Sequence, residues 1–514
     1  MKFIKTSILF IVIVLCSSSS VLQLGIQPKI ITQTFFPDPD IEIPTPGFSK
    51  KKGYTSITEL LSFLKNKSIE NPNQLSISFI GKSQGGIEIP AIRLVGKNPV
   101  ENPIRVWLQG GLHGNEMGSV EGLLFLIHEL LNNSDLLDEF EMMIIPVANP
   151  DGYKKENRYA KNGMDLNRDH TIISAPETKY LKSTFNLFDP ELALDFHEYR
   201  PFRRDFVNFG NFGVTSMYDV MFLHTSNPNV PKKLRELIED SFITPCQAEL
   251  DKQGYTHHNY FSTEKHLGTI RIREGSISAR SSSTSYALSN CVSSLIEIRG
   301  VGLGRTSFKR RVACVKEVGM SFLKSAVQSK HNMRKVLVHL TDTNRRVVYS
   351  SSYLTENRIM NFIDLEEKSV QGFEFEVRDL SEQRNIKTRS FPLAYLLTKE
   401  LIPLIKPKLD VLGIKYKLVS SETLDQNRIY SYNITKYLQD GIPEFRVRRQ
   451  RVTSELRLLE KEQPFELLYV PTSQVRGAHL FELFEPEATS SYVAFDVIHT
   501  GLNKKLKYYR YHAY

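Results

Sequence analysis

The chain has 514 residues, 41% hydrophobic and 24% charged, which is globular composition and excludes a disordered or collagen-like chain. Its length calls for more than one domain. The net charge of +9 is spread along the chain, which argues for a basic soluble surface and against a nucleic-acid partner.

The start, "MKFIKTSILFIVIVLCSSSS" (residues 1–20), places Lys2 and Lys5 before an apolar core, Ile8 to Cys16, followed by serines. This is the pattern of a secretory signal peptide, too short to span a bilayer, so export to the periplasm or the medium is expected, with cleavage within Ser17–Ser20. Cys16 offers a lipid-anchored alternative, against which stands the bulky Leu15 before it. No later window is long and apolar enough for a transmembrane helix. Residues 21–53, ending in "FFPDPDIEIPTPGFSKKKG", read as an arm or linker rich in Pro and charge.

A catalytic-sized region is expected over residues 54–328. Its apolar runs "IRVWLQG" (104–110), "EMMIIPVA" (141–148), "ELALDF" (191–196) and "SSLIEI" (293–298) read as buried strands. Helical patterns lie between them, at 115–131 and at "PETKYLKSTFNLF", where Pro176 opens the first turn. Strands alternating with helices predict an α/β fold, a mixed central sheet with helices on both faces. Residues 329–514 read as a smaller C-terminal α/β domain. There "KVLVHLTDTNRRVVYSS" alternates like a hairpin, "FPLAYLLTKELIPLIKPKLDVLGIKYKLV" reads strand, helix, Gly413, strand, and "LYVPTSQVRGAHLFELFEP" reads strand then helix. The basic run "FRVRRQR" (445–451) reads as a solvated strand face. After cleavage Cys246, Cys291 and Cys314 remain, enough for at most one intramolecular disulfide, with the pairing open.

Three motifs fail on context. "GKSQG" (81–85) matches the G-x-S-x-G nucleophile elbow, but the alternating "IEIPAIRLVG" follows where a helix is required, so Ser83 belongs to a hairpin turn. His128-Glu129 and His197-Glu198 begin HExxH, but the second His falls on Asn132 and Pro201. His257-His258 reads as a loop pair with no Glu or Cys at ligand spacing.

One constellation survives. His113 and Glu116 lie in "GLHGNEMG", at the carboxyl end of a buried strand, where α/β sheets bind ligands. His197 ends another strand and Glu297 lies within a third, where an ionisable group is costly unless it is paired or functional. Two His and one Glu make a three-ligand zinc site with an open position. A further carboxylate, Glu297, suits proton transfer. Candidate donors for an oxyanion lie in "ENRYAKNGMDLNRDH" (156–170), where Arg158 and Arg168 flank Asp165 and Asn167.

In order along the chain, "GLHGNE", "NPDGY" (149–153), "MDLNRD" (164–169), "DFHEY" (195–199) and "LIEIRG" (295–300) resemble the zinc carboxypeptidases of the carboxypeptidase A type. "ISFIGKSQGGIEIPAIRLVG" (77–96) resembles the first hairpin of that catalytic domain, and the C-terminal part is similar to the extra domain of a bacterial branch. The resemblance covers residues 50–325. It implies one Zn2+ per chain held by His113, Glu116 and His197, with Glu297 as general base and acid and Arg158 polarising the scissile carbonyl. It further implies that Asn167 and Arg168 grip the terminal carboxylate and that Asp165 orients a ligand histidine. Where the family carries a mobile tyrosine, this chain offers only Tyr286, eleven residues before Glu297, a spacing that also suits a pocket wall. Arg280 and the neighbouring serines imply a polar specificity pocket.

The leading expectation is an exported metallocarboxypeptidase. A zinc-dependent deacylase or amidase on N-acyl amino acids or cell-wall peptides is the second, and an inactive binding protein on the same scaffold the third. Peptides or N-acyl amino acids are the partners expected; oligomeric state is open.

Overall fold

A computed structural model describes residues 28–266, 268–338, 346–444, 447–460 and 465–512. The signal-peptide reading, Cys16 included, falls outside them.

The expected arm holds a short helix, α1 (Lys29–Phe35), and an extended run that packs on the body. Gly47 N and Thr55 Oγ1 donate to the buried carboxylate of Glu121, and the Arg299 guanidinium stacks on Phe36. Then come α2 (Ile57–Glu70), β1 (Leu75–Lys82), β2 (Glu88–Val95), β3 (Ile104–Gln109), α3 (Met117–Leu131), α4 (Ser134–Leu137), β4 (Phe140–Ile145), α5 (Pro150–Lys154), α6 (Pro176–Phe188) and β5 (Leu192–Tyr199). A Ser56/Glu59 capping box opens α2, and Pro176 sits in the first turn of α6. Next follow β6 (Val214–Ser216), β7 (Val220–His224), α7 (Lys232–Ile238), α8 (Thr244–Lys252), β8 (His257–Asn259), β9 (Phe261–His266), β10 (Thr269–Glu274), α9 (Ser282–Leu288) and β11 (Val292–Arg299).

Eight of these strands form one mixed sheet in the order β1-β2-β4-β3-β5-β11-β7-β8. Strand alternation divides its side chains between two cores. Val106, Leu108, Leu192 and Leu194 pack with α2, α3, α7 and α8. Trp107 and Ala193 pack with Leu181 and Phe185 of α6 and Tyr286 of α9. Helices therefore cover both faces, as the alternating pattern predicted. Ser83 lies in the β1–β2 hairpin turn, its hydroxyl accepting from Ile87 N, and the elbow reading is excluded. His257 and His258 are not in a loop: they lie in β8, the sheet's last strand.

The boundary expected at residue 328 falls inside α10 (Phe308–Val338). Residues 335–338, read as the start of a hairpin, are the last turn of this helix. Their alternation satisfies either period, and buried Met333 keeps the helix docked. Two long strands, β12 (Val347–Asp364) and β13 (Ser369–Arg389), then join β6, β9 and β10 in a second sheet, ordered β6-β12-β13-β10-β9. The C-terminal region closes with β14 (Pro392–Thr398), α11 (Ile402–Val411), β15 (Lys417–Ser420), β16 (Ile429–Glu444), β17 (Val447–Leu458), β18 (Glu466–Pro471), α12 (Ala478–Phe484) and β19 (Lys505–His512). Its six strands pair antiparallel, as β15-β18-β14-β19-β16-β17. This region docks over α6 and α9 through buried polar contacts, among them Ser289 Oγ with His479 Nε2 at 2.9 Å and Asn229 Nδ2 to Glu482 Oε1 at 2.8 Å. Cys246, Cys291 and Cys314 are all buried and unpaired.

Candidate metal centre and substrate cavity

Three chain segments meet at the carboxyl ends of β3, β5 and β11. After β3 the chain turns sharply at Gly111, whose φ of +59° suits glycine. Gly114 lies so close to α5 that an added Cβ would fall 1.9 Å from the carbonyl carbon of Gly152. These two glycines bring His113 and Glu116 inward, both 1% exposed. From β5 comes His197, fully buried, and in the parallel register of β5 and β11 its neighbour is Glu297. Side chains adjacent in register share a face, so Glu297 stands beside His197. Glu198 points to the opposite face, where Arg311 Nε and Gly118 N donate to it at 2.8 and 3.0 Å.

His113 Nδ1 lies 2.7 Å from Glu116 Oε1, His197 Nδ1 lies 2.9 Å from Glu116 Oε2, and the two Nδ1 atoms are 3.0 Å apart. The outward nitrogens are also held. His113 Nε2 is 3.1 Å from Asp165 Oδ1, and His197 Nε2 is 2.9 Å from Asp195 Oδ2. A carboxylate behind each ring keeps the proton on Nε2 and turns the Nδ1 lone pair inward. Two lone pairs and a carboxylate so close repel unless a cation sits among them. Burial opposes ionisation of Glu116, but positive charge at His113 and His197, which protons carry when no cation is bound, outweighs it and holds its carboxyl well below the usual range. Among the described residues His113, Glu116 and His197 are the group whose ligand atoms converge in this way, all within 4.8 Å. Two imidazoles and a carboxylate, backed by two further carboxylates, fit zinc.

The site opens into a cavity of about 300 Å³ lined by Asn115, Arg158, Arg200, Arg203, Tyr260, Ser262, Glu297 and others. Burial, and next the charge of Glu116, push the Glu297 carboxyl up to about 7. Arg158 donates through Nε and Nη2 to Asp165 Oδ2, at 3.2 and 3.0 Å, and its Nη1 is 3.5 Å from Glu116 Oε1. Asp165 thereby links Arg158 to His113. Asn167 is buried, its Oδ1 accepting from Ser282 N at 2.8 Å. Arg168 is half-buried and donates to the Asn167 carbonyl at 2.8 Å.

Tyr286 is not in this group. It lies on α9, 1% exposed, stacked on Phe185 at 4.1 Å, with its hydroxyl donating to Gln109 Oε1 at 2.9 Å. The helix turns it into the core and away from the cavity. Arg280 is buried too, its guanidinium 4.1 Å from the ring of Phe495 in the C-terminal region. Two residues escaped the sequence reading. Asp195 was legible in "LALDFH", because residues two apart in a strand share a face. Tyr260 carried no such signal, being placed in the cavity by the β8–β9 corner.

Residues 60–200 match the family model described as zinc carboxypeptidase. The chain is 27% identical over 441 residues to "Carboxypeptidase 2" of Trichophyton rubrum, covering 81% of this chain and 79% of that one. It is 31% identical over 91 residues, 16% of this chain and 21% of the other, to a protein of Saccharomyces cerevisiae described as an inactive metallocarboxypeptidase. Carboxypeptidase A of Helicoverpa armigera superposes with a TM-score of 0.42 and 19% identity, covering 55% of this chain and 78% of that one. The His113, Glu116 and His197 triad lies inside the segment that matches the zinc carboxypeptidase model, and the chain is a metallocarboxypeptidase.

Proposed function

We propose that the protein is exported and removes single residues from the free C-termini of peptides, with Glu297 as the proton-transfer group. The observation that carries this reading is the placing of Glu297 beside His197 on adjacent strands, at the wall of a cavity, with its carboxyl poised near neutrality. A base of that strength takes a proton at neutral pH and returns it to a leaving amine. Zinc, when bound by His113, Glu116 and His197, supplies a Lewis acid that polarises a carbonyl and lowers the pKa of water. Arg158, held by Asp165 at the same wall, aims a guanidinium at the oxygen that gains charge. Arg168, anchored on the Asn167 carbonyl, is the group for the substrate's terminal carboxylate, by paired charge-assisted bonds. Export rests on the residue 1–20 pattern. Assignment of the C-terminal region to a bacterial branch rests on its motifs alone, and the relative from Trichophyton rubrum, matched across 81% of the chain, is fungal.

A blocked dipeptide compared with its C-terminal amide tests the reading. The free acid should be cleaved at least about 100-fold faster in kcat/KM, since the amide leaves Arg168 unpaired. A chelator should abolish both rates. Equal rates on acid and amide would point to an amidase and overturn the proposal.

A further inference from the structure

Resting on that reading, we propose that the cavity selects peptides ending in an acidic residue, whose side-chain carboxylate is held by Arg203 and Arg273. Arg203 lines the cavity. Arg273, on β10, pairs in antiparallel register with the cavity-lining Ser262 of β9, so the two side chains share a face. Among the described residues neither guanidinium has a carboxylate within ion-pairing distance.

The neighbouring arginine of the same strand shows what is missing. Arg271, two residues before Arg273 and on the same face, is neutralised by Glu264 at 3.3 Å and by Glu376. Arg273 instead has Arg378 beside it in the register of β10 with β13. Burial, and then the charge of Arg168, weakens its hold on its proton. Arg203 and Arg273 are half-buried, and guanidiniums gathered at a cavity wall favour an anion beside them.

The cavity's own carboxylates do not fill that role. Glu198 is closed off by Arg311, with contacts of 2.5 and 2.8 Å. Glu297 is the proton-transfer group. Asp205 stands behind the wall, where it accepts from the cavity-lining Thr263 Oγ1 at 3.2 Å. Tyr260 also lines the cavity, and its ionisation is opposed by burial and by Glu297 and favoured by Arg168, Arg158 and Arg203. With Arg168 taking the terminal carboxylate, Arg203 and Arg273 face the last side chain. A glutamate or aspartate there completes both, and a lysine is repelled.

The test uses the zinc-loaded enzyme and four blocked dipeptides ending in Glu, Gln, Phe or Lys. The expected kcat/KM for Glu exceeds that for Gln by about tenfold, with Lys the poorest. Arg203→Gln and Arg273→Gln should each shrink the Glu-to-Gln ratio toward one, and Arg203→Glu should move the preference toward Lys. Zinc content and melting temperature report whether each variant is folded, and the charge-reversed variant gives a gain that misfolding cannot mimic. Cleavage of Phe with equal rates on Glu and Gln would overturn the acidic subsite while leaving the carboxypeptidase reading intact. A ratio that survives both glutamine variants would overturn it equally. No cleavage of any of the four by zinc-loaded protein would overturn the carboxypeptidase reading and this inference with it.

Discussion

Glu297 in β11 and Glu485 after α12 are both buried carboxylates among arginines and tyrosines, yet the chain treats their protons in opposite ways. Both oxygens of Glu485 are occupied. Arg510 Nε, Tyr395 Oη and Tyr432 Oη donate to Oε1 at 2.8, 2.5 and 3.1 Å, and Arg389 Nη1 donates to Oε2 at 2.7 Å. Burial opposes its charge, but Arg510 and Arg389 outweigh burial and keep it ionised. Glu297 has no such cage and faces a cavity, with the Glu116 carboxylate nearby, so its proton is exchangeable near neutral pH. Fixed donors turn a buried acid into a structural joint; withholding them leaves an acid able to do chemistry.

Removing each carboxylate should expose that contrast. Glu297→Gln should lower kcat/KM by about 1000-fold or more, while bound zinc stays near one per chain, read by steady-state kinetics and metal analysis. Loss of zinc with activity would instead make Glu297 a structural partner of the ligands. Glu485→Ala should cost about 3–5 kcal/mol in denaturant unfolding, because it leaves Arg510 fully buried without its carboxylate, while Arg389 keeps Glu487. Its folded fraction should retain wild-type kcat, since Glu485 lies in the C-terminal region, away from the cavity.

A smaller effect should mark the seam between the two regions. Lys182 is fully buried on α6, donates to Ser285 Oγ at 2.9 Å, and its pKa is lowered to about 7 by burial and by Arg476. The unfolded chain keeps that proton up to the ordinary lysine range, whereas the folded protein sheds it above about 7. The unfolded state therefore binds more protons in that window, and stability rises with pH by up to about 1.4 kcal/mol per unit. Lys182→Met should flatten the rise, read as unfolding free energy between pH 7 and pH 10. A wild-type slope in the variant would refute a buried, neutralised lysine.

Much of the catalytic half was legible because its signals are local. Trp107, Leu194 and Ile296 sit in unbroken apolar runs that only a doubly covered strand explains, and Gly111 announces the turn that delivers His113. The metal set followed from where those runs end. The second sheet was not legible. β9 and β10, "FSTEKH" and "TIRIRE", alternate charge with small or apolar residues and form because β13 pairs beside them, a partner more than a hundred residues away in sequence. Tyr286 misled for a related reason. Its distance from Glu297 can be counted along the chain, but whether α9 turns a side chain toward the cavity or toward Trp107 depends on packing.

The pairing of β12 with β6 and of β13 with β10 sets the smallest piece of this protein that can stand alone. Ser216 and Ser262 are both on the cavity wall; Ser216 belongs to β6, whose neighbour β12 comes from beyond α10, and Ser262 to β9, whose partner β10 is itself flanked by β13 from beyond α10. A fragment cut at residue 328 would keep His113, Glu116, His197 and Glu297 but bare two sheet edges beside the substrate and remove the last turns of α10. Open edges of that kind recruit other chains. Laboratory dissection of this enzyme, and any natural shuffling of its parts, must therefore carry the C-terminal region along with the metal ligands.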